Sequence, residues 1–409
     1  MAKTIAIGIQ DFCKIIENNY FYIDKTNFIK EWWENGDEVT LITRPRRFGK
    51  TLTISMSDYF FSIKHAGHKN LFKGLDIWKE NKYHKLKGTY PVINLSFANI
   101  KETSYKNAKA KICHLLVNLY SDYSFLLDNS SLTENDKEFF KKVKPGMDDV
   151  TATMAINQLS KYLFCHYGKK VIILLDEYDT PMQEAYINGY WDELVSFTRS
   201  MFNSTFKTNP YLERALMTGI TRISKESVFS DLNNLTIITT TSKLYETAFG
   251  FTEDETSQAL STYNLDKEKQ NVKKWYDGFT FGGTENIYNP WSIINFIKNR
   301  KLAAYWANTS SNSLASQLVR ESSTSVKLVI EDLLQGKDFC TTIDEQIVFS
   351  QLGNTKTAIW SLFLASGYLK VINTKLNHKQ KEEYTLSLTN NEVRIMFDQI
   401  VTEWFDTNN

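Results

Sequence analysis

Val39-Thr40-Leu41-Ile42-Thr43-Arg44-Pro45-Arg46-Arg47-Phe48-Gly49-Lys50-Thr51-Leu52 sets a β-branched apolar run against a basic turn that closes on Gly-Lys-Thr. A phosphate-binding loop reads G-x-x-x-x-G-K-[ST] and sits between a strand and a helix. Gly49, Lys50 and Thr51 fit that pattern, and Arg44 stands where its first glycine belongs. The run before the loop reads as a strand, and Leu52 to Phe60 has helical apolar spacing. In that setting backbone N–H groups and a helix N-terminus face a polyphosphate. The candidate nucleotide contacts are Arg44, Pro45, Arg46, Arg47, Phe48, Gly49, Lys50, Thr51 and Leu52, with Lys50 reaching the β- and γ-phosphates and Thr51 holding Mg²⁺. Taken alone, the stretch also reads as a basic turn with an incidental Gly-Lys-Thr.

A second signal lies 125 residues on. Val171-Ile172-Ile173-Leu174-Leu175-Asp176-Glu177 is a wholly apolar run ending in two acids. Carboxylates at the end of a buried strand are costly unless they have partners. Beside a phosphate loop, Asp176 supports Mg²⁺ and Glu177 polarises the attacking water. A third run, Ala215-Leu216-Met217-Thr218-Gly219-Ile220-Thr221-Arg222, ends in polar residues. If this strand lies between the other two, Thr218 bridges the γ-phosphate and the water, and Arg222 meets phosphate oxygens. The catalytic candidates are therefore Lys50, Glu177, Thr218 and Arg222, and the metal candidates are Thr51 and Asp176.

Composition sets the outer limits. The chain has 409 residues, 42 % hydrophobic and 23 % charged, with 17 Gly and 6 Pro, which excludes a disordered or low-complexity chain. Forty-eight basic residues against 47 acidic ones give a net charge of +1, so bulk attraction to nucleic acid or anionic membrane is not expected. Cys13, Cys113, Cys165 and Cys340 are scattered, which argues against a disulfide framework and fits a reducing cytoplasm. No signal peptide and no run of membrane-spanning length is read.

Five short apolar runs, at 39–43, 91–97, 171–175, 212–218 and 235–241, alternate with longer amphipathic stretches. That is the pattern of an α/β domain with a parallel sheet between helices. Near residue 250 the character changes: Thr252 and Glu255 form a capping box, and helical patterns dominate to the end. The expected division is a P-loop ATPase domain at 1–248, with an N-terminal extension at 1–36. A helical lid or winged-helix-like domain follows at 249–310, then a C-terminal helical domain at 311–409.

Taken together, these segments resemble the AAA-ATPase-like family of bacterial P-loop ATPases. Ile7-Gly8-Ile9-Gln10-Asp11-Phe12 and Tyr22-Ile23-Asp24-Lys25-Thr26 look like its opening, and Arg44 to Thr51 is similar to its RPRRFGKS loop. Asp176-Glu177-Tyr178-Asp179, Trp275-Tyr276-Asp277-Gly278-Phe279 and Tyr288-Asn289-Pro290-Trp291-Ser292 look like further family segments. The resemblance implies an ASCE-type sheet, ATP and Mg²⁺ as ligands, and helical or winged-helix domains after the core. Arg44 is then a departure that the family shares. The partners it implies are a second copy of the chain, DNA or a nuclease domain. The family's fused PD-(D/E)XK nuclease is not read here: Glu80-Asn81-Lys82 has the E-x-K spacing but does not end an apolar strand.

His65-Ala66-Gly67-His68, flanked by Lys64 and Lys69, reads as a solvated loop rather than a metal site. Trp32, Trp33, Phe12 and Tyr22 read as core before they read as base-stacking groups. Two functions remain. One is Mg²⁺-dependent ATP hydrolysis that drives movement of the C-terminal domains. The other is a slowly hydrolysing nucleotide switch that binds DNA or protein. Glu177 favours the first, because a switch needs no water-activating carboxylate.

Overall fold

The computed structural model describes residues 2–68, 70–128, 130–221, 228, 229, 231–307, 313–344, 352, 355–378 and 380–407. Its central sheet has five strands: β1 (Val39–Thr43), β2 (Val92–Ser96), β3 (Val171–Asp176), β4 (Leu212–Gly219) and β5 (Leu235–Ile238). They run parallel in the order β2-β3-β4-β1-β5. Every residue of β1 and β3 is buried, which is why both read as unbroken apolar runs. β4 lies between them, with Leu41 opposite Met217 and Leu174 opposite Leu216. The carboxyl ends of β1, β3 and β4 are thereby brought side by side, where ligands bind in parallel sheets.

Helices cover both faces. On one side, Tyr105–Asp122, Asp149–Tyr167 and Trp191–Phe202 bury Ile112, Leu159 and Phe197 against the sheet. On the other lie α1 (Phe12–Glu17), α2 (Asn27–Asn35) and α3 (Lys50–Phe61), which bury Phe12, Phe28, Trp32 and Phe60. Trp32 and Phe12 are core, and Phe12 stacks on Phe72 with ring centres 5.1 Å apart.

The helix Glu253–Thr262 starts at the expected capping box: the Thr252 hydroxyl accepts Glu255 N–H, and the Glu255 carboxylate accepts Thr252 N–H. Beyond it the chain is less helical than its sequence suggests. A hairpin, β6 (Phe279–Phe281) and β7 (Thr284–Ile287), interrupts the segment 249–310. Strands β8 (Phe339–Thr341), β9 (Leu369–Leu376) and β10 (Glu382–Leu388) form an antiparallel sheet in the order β8-β10-β9. The helical domain expected at 311–409 thus carries a three-stranded sheet beside its helices. Of β9 only Leu369 is buried, so its sequence lacks the alternation that marks a strand.

One hydrophobic cluster runs across both expected boundaries. It joins Phe48, Ile54 and Phe60 to Phe249, Phe279, Phe281 and Ile287, and on to Trp306, Phe363 and Phe397. The C-terminal segments are thus packed on the back of the phosphate loop.

Candidate functional site

A cleft of about 550 Å³ opens above the carboxyl ends of the strands. The loop residues Arg46 to Thr51, the acids Asp176 and Glu177, the segment Ile7-Gly8-Ile9, and Pro290-Trp291 line it. Among the described residues no helix is long and apolar enough to cross a membrane.

The loop's path is set by two left-handed residues, Arg47 at φ +66° and Gly49 at φ +86°. Gly49 caps α3, whose first residue is Lys50, so the first N–H groups of that helix face the cleft. Lys50 is buried, and its ammonium donates to the carbonyls of Arg44 and Pro45, each at 2.9 Å. An ammonium has three donors, so one remains for a ligand oxygen. Burial pulls the Lys50 pKa down, and the carboxylates of Glu177, Asp179 and Asp176 oppose that pull.

Asp176 joins the loop to the sheet. Thr51 Oγ1 donates to its Oδ2 at 2.8 Å, and Thr218 Oγ1 donates to its Oδ1 at 2.5 Å. Burial pushes the Asp176 carboxyl up, and the two hydroxyls and Lys50 draw it back. Thr51 and Asp176 offer hard oxygen donors and leave most of a coordination sphere to water and ligand oxygens. That donor set suits Mg²⁺. Glu177 follows at φ +53°, half-buried, with Oε2 accepting the Thr180 hydroxyl at 2.9 Å. This turn sends its carboxylate into the cleft beside that of Asp176.

Behind these residues, Asp179 is fully buried. Its Oδ2 accepts the N–H groups of Ile220 and Thr221 at 3.0 and 2.9 Å and the Thr221 hydroxyl at 2.8 Å. Burial raises its pKa, and these bonds oppose the rise. Gly219 is required at this crossing, since a Cβ there would come within 2.5 Å of the Tyr178 ring and 2.9 Å of Asp179 Oδ1.

Three sequence candidates change role. The Arg44 side chain is wholly buried and faces away from the cleft: its Nη1 donates to the carbonyls of Thr43 at 3.1 Å and Thr239 at 2.5 Å, and its guanidinium lies 4.5 Å from the Phe281 ring centre. Its substitution for the loop's first glycine turns the side chain inward, into an aromatic cage. Pro45 faces the C-terminal segments, where a Cβ on Gly367 would come within 2.8 Å of it. Thr218 is fully buried beneath Asp176, and its hydroxyl is spent on that carboxylate. Arg222 lies outside the described residues.

The remaining loop residues divide between cleft and core. Arg46 lines the cleft and donates through Nη2 to Gln183 Oε1 at 3.2 Å, while its carbonyl accepts from Trp306 Nε1 at 3.1 Å and Asn289 Nδ2 at 3.3 Å. The Arg47 guanidinium stacks 4.4 Å from the Trp291 ring centre. Phe48 reaches the cleft wall, but its ring is buried against Phe279 and Phe281. Leu52 lines the cleft one turn into α3.

Sequence reasoning passed over Lys25 and Trp291, although both fall in segments quoted for the family resemblance. Lys25 lines the cleft and pairs with Glu255 at 2.7 Å, tying the N-terminal extension to the helix after residue 252. Glu80-Asn81-Lys82 sits at a helix junction, paired with Lys30 and Glu34.

The sequence profile described as Predicted AAA-ATPase matches residues 6–229. A protein of Azotobacter chroococcum mcd 1, described as an uncharacterized protein in the vnfD 5' region, is 28 % identical over 324 residues. The match takes in 78 % of this chain and 56 % of the relative, so the chain spans little more than half of that protein's length. Among solved structures, one titled as Drosophila ORC bound to AT-rich DNA and Cdc6 aligns over 96 % of this chain and 93 % of its own, at 12 % identity and a TM-score of 0.21.

Proposed function

The chain belongs to the predicted AAA-ATPase family, and from that premise we propose that it is a Mg²⁺-dependent ATPase whose nucleotide state is passed to its C-terminal segments. The observation that carries this reading is Asp176, which takes hydroxyl hydrogen bonds from Thr51 on the loop and Thr218 on β4. The same cleft is lined by the N-terminus of α3, the Thr51 and Asp176 side chains and the Glu177 side chain, which supports the reading.

In this reading the N–H groups of Gly49 to Thr51 and the ammonium of Lys50 hold the β- and γ-phosphates. Thr51 and Asp176 hold Mg²⁺, which neutralises charge on the phosphate oxygens when bound. Glu177 orients the attacking water and takes up its proton. Arg46 and Arg47, which line the cleft, are the described arginines able to offset charge in the transition state.

The link to the C-terminal segments is the Arg46 carbonyl, which accepts from both Asn289 and Trp306. A shift of the loop moves both donors. Among the described residues after 323 the order helix–strand–helix–hairpin is winged-helix-like, but the helix Lys356–Ala365 buries Trp360, Leu362 and Phe363. A helix that reads DNA must present an exposed face to the groove. We therefore assign this module to packing on the ATPase, and place any DNA, nuclease or second-copy partner elsewhere.

The test is calorimetry of ATP binding in Lys50→Ala. Loss of measurable binding is expected. Unchanged affinity refutes the site. A wild type that binds ATP tightly, and whose turnover Glu177→Gln leaves unaltered, supports the nucleotide-switch reading instead.

A further inference from the structure

Away from the cleft, α1 and the loop after α3 bring together three side chains of metal-ligand type. Cys13 and Glu17 are four residues apart on α1, so they share one face. His68 faces them from the end of the His65-Ala66-Gly67-His68 segment. Its Nδ1 lies 3.7 Å from Cys13 Sγ and 3.5 Å from Glu17 Oε1. The ligand atoms of the three residues all lie within 4.8 Å of one another. The sequence reading of this loop as merely solvated assumed no further ligand nearby; Cys13 and Glu17, some fifty residues earlier, supply two.

We propose that Cys13, Glu17 and His68 form a binding site for a zinc-class divalent ion that clamps α1 onto the segment following α3. The separations fit. Bonds of about 2.3 Å to sulfur and about 2.0 Å to nitrogen or oxygen, at tetrahedral angles, put sulfur and nitrogen about 3.5 Å apart and nitrogen and oxygen about 3.3 Å apart. The donor set of thiolate, imidazole and carboxylate selects a borderline-soft ion over Mg²⁺ or Ca²⁺. Water completes the four-coordinate shell.

The obvious rival is a Cys–His–carboxylate catalytic relay. Such a relay needs the thiol and the carboxylate on opposite nitrogens of the imidazole. Here both approach the same nitrogen, Nδ1.

The site stands beside the nucleotide cleft without belonging to it. Phe12 N–H donates to Ser55 Oγ of α3 at 3.0 Å, and Tyr59 of α3 donates to Asp11 Oδ2 at 3.1 Å. A bound ion would add a tie from α1, which follows the cleft-lining Gly8 segment, to the segment that continues from α3.

The experiment is a Co²⁺ titration of the metal-depleted full chain, followed by Zn²⁺ competition. One equivalent of Co²⁺ should produce a thiolate-to-metal absorption band that Zn²⁺ abolishes. The band should vanish in Cys13→Ser and persist when the exposed Cys165 and Cys340 are changed to Ser. Even loss of an outer-shell partner weakens metal binding by about 10–100-fold, so His68→Gln and Glu17→Gln should each weaken Zn²⁺ binding at least tenfold. Both side chains are well exposed, so these variants report even if Cys13→Ser misfolds. Absence of the band, its persistence in Cys13→Ser, or unchanged Zn²⁺ affinity in His68→Gln overturns the proposal.

Discussion

Thr218 reaches across from the end of β4 and donates its hydroxyl to Asp176 Oδ1 on β3 at 2.5 Å, while its own oxygen accepts the Glu177 N–H at 3.2 Å. One hydroxyl thus orients one acid through its side chain and the next through its backbone. Thr218→Val keeps the shape and leaves two buried polar groups short of a partner. It should cost about 1–3 kcal/mol of stability and lower turnover more than ATP affinity, with Thr218→Ser restoring both. Urea unfolding paired with kcat and Kd measurements checks this. A loss confined to ATP affinity would return Thr218 to the phosphate contact expected from sequence.

Arg44 gives the opposite expectation. Its Nε and Nη2 are buried without hydrogen-bond partners, and burial draws its pKa down to about 9. A buried guanidinium with two nitrogens unpartnered carries a desolvation cost that an apolar side chain of similar volume avoids. Arg44→Met should therefore hold or raise the melting temperature and leave ATP affinity within about threefold, less than 1 kcal/mol. A tenfold loss of affinity in a folded variant would show that the guanidinium serves the nucleotide after all.

How far the sequence reached depends on what carried the information. Where burial on both faces left unbroken apolar runs, as at Val39–Thr43 and Val171–Asp176, the strands were legible. The setting of Gly49, Lys50 and Thr51 was legible for the same reason. The direction of a side chain was not: Arg44 sits in a basic cluster, and only the cage of Phe249 and Phe281 shows that it turns inward. Strand β9 was missed because Asn373, Thr374 and Lys375 face solvent and break any alternation. The nearness of His68 to Cys13 depends on how α1 packs on α3, which no local pattern records.

Glu392 carries a pH expectation. It is fully buried, with Oε2 accepting the Ser292 hydroxyl at 2.7 Å and Oε1 accepting Trp306 N–H at 3.0 Å, and burial raises its pKa from 4.5 to about 7. The folded state therefore binds a proton that the unfolded state has lost between about pH 4.5 and 7. Stability from this group is complete below the lower value and falls as pH rises through that window, by on the order of 3 kcal/mol. Glu392→Gln can keep the Trp306 bond on its amide oxygen, turns the Ser292 contact round so that the amide donates to the hydroxyl, and removes the titration. Unfolding free energy of the variant should exceed wild type above pH 7, and the gap should close towards pH 4.5. A gap independent of pH would mean that the carboxyl stays ionised across that range.

Asp176 and Glu177 are neighbours, and their surroundings assign them different work. Asp176 is buried and accepts hydroxyls from Thr51 and Thr218, one on each oxygen. Removing its charge in Asp176→Asn should weaken Mg²⁺ dependence and nucleotide binding together. Glu177 stands past the strand end at φ +53°, lines the cleft, and is held by the Thr180 hydroxyl on Oε2. Glu177→Gln preserves size and polarity but cannot take up a proton from water. Groups in that role contribute about 10²–10⁴-fold in rate, so the variant should bind ATP as wild type does and lose turnover by that factor. Single-turnover hydrolysis with labelled ATP separates the two residues: slow chemistry with intact binding for Glu177→Gln, weak binding at low Mg²⁺ for Asp176→Asn. If Glu177→Gln hydrolyses within about threefold of wild type, well short of that range, the water is oriented by another group. Thr180→Val then decides between them. A Glu177 that acts needs its hydroxyl clamp, so turnover should fall in Thr180→Val, whereas an idle Glu177 would leave it unchanged.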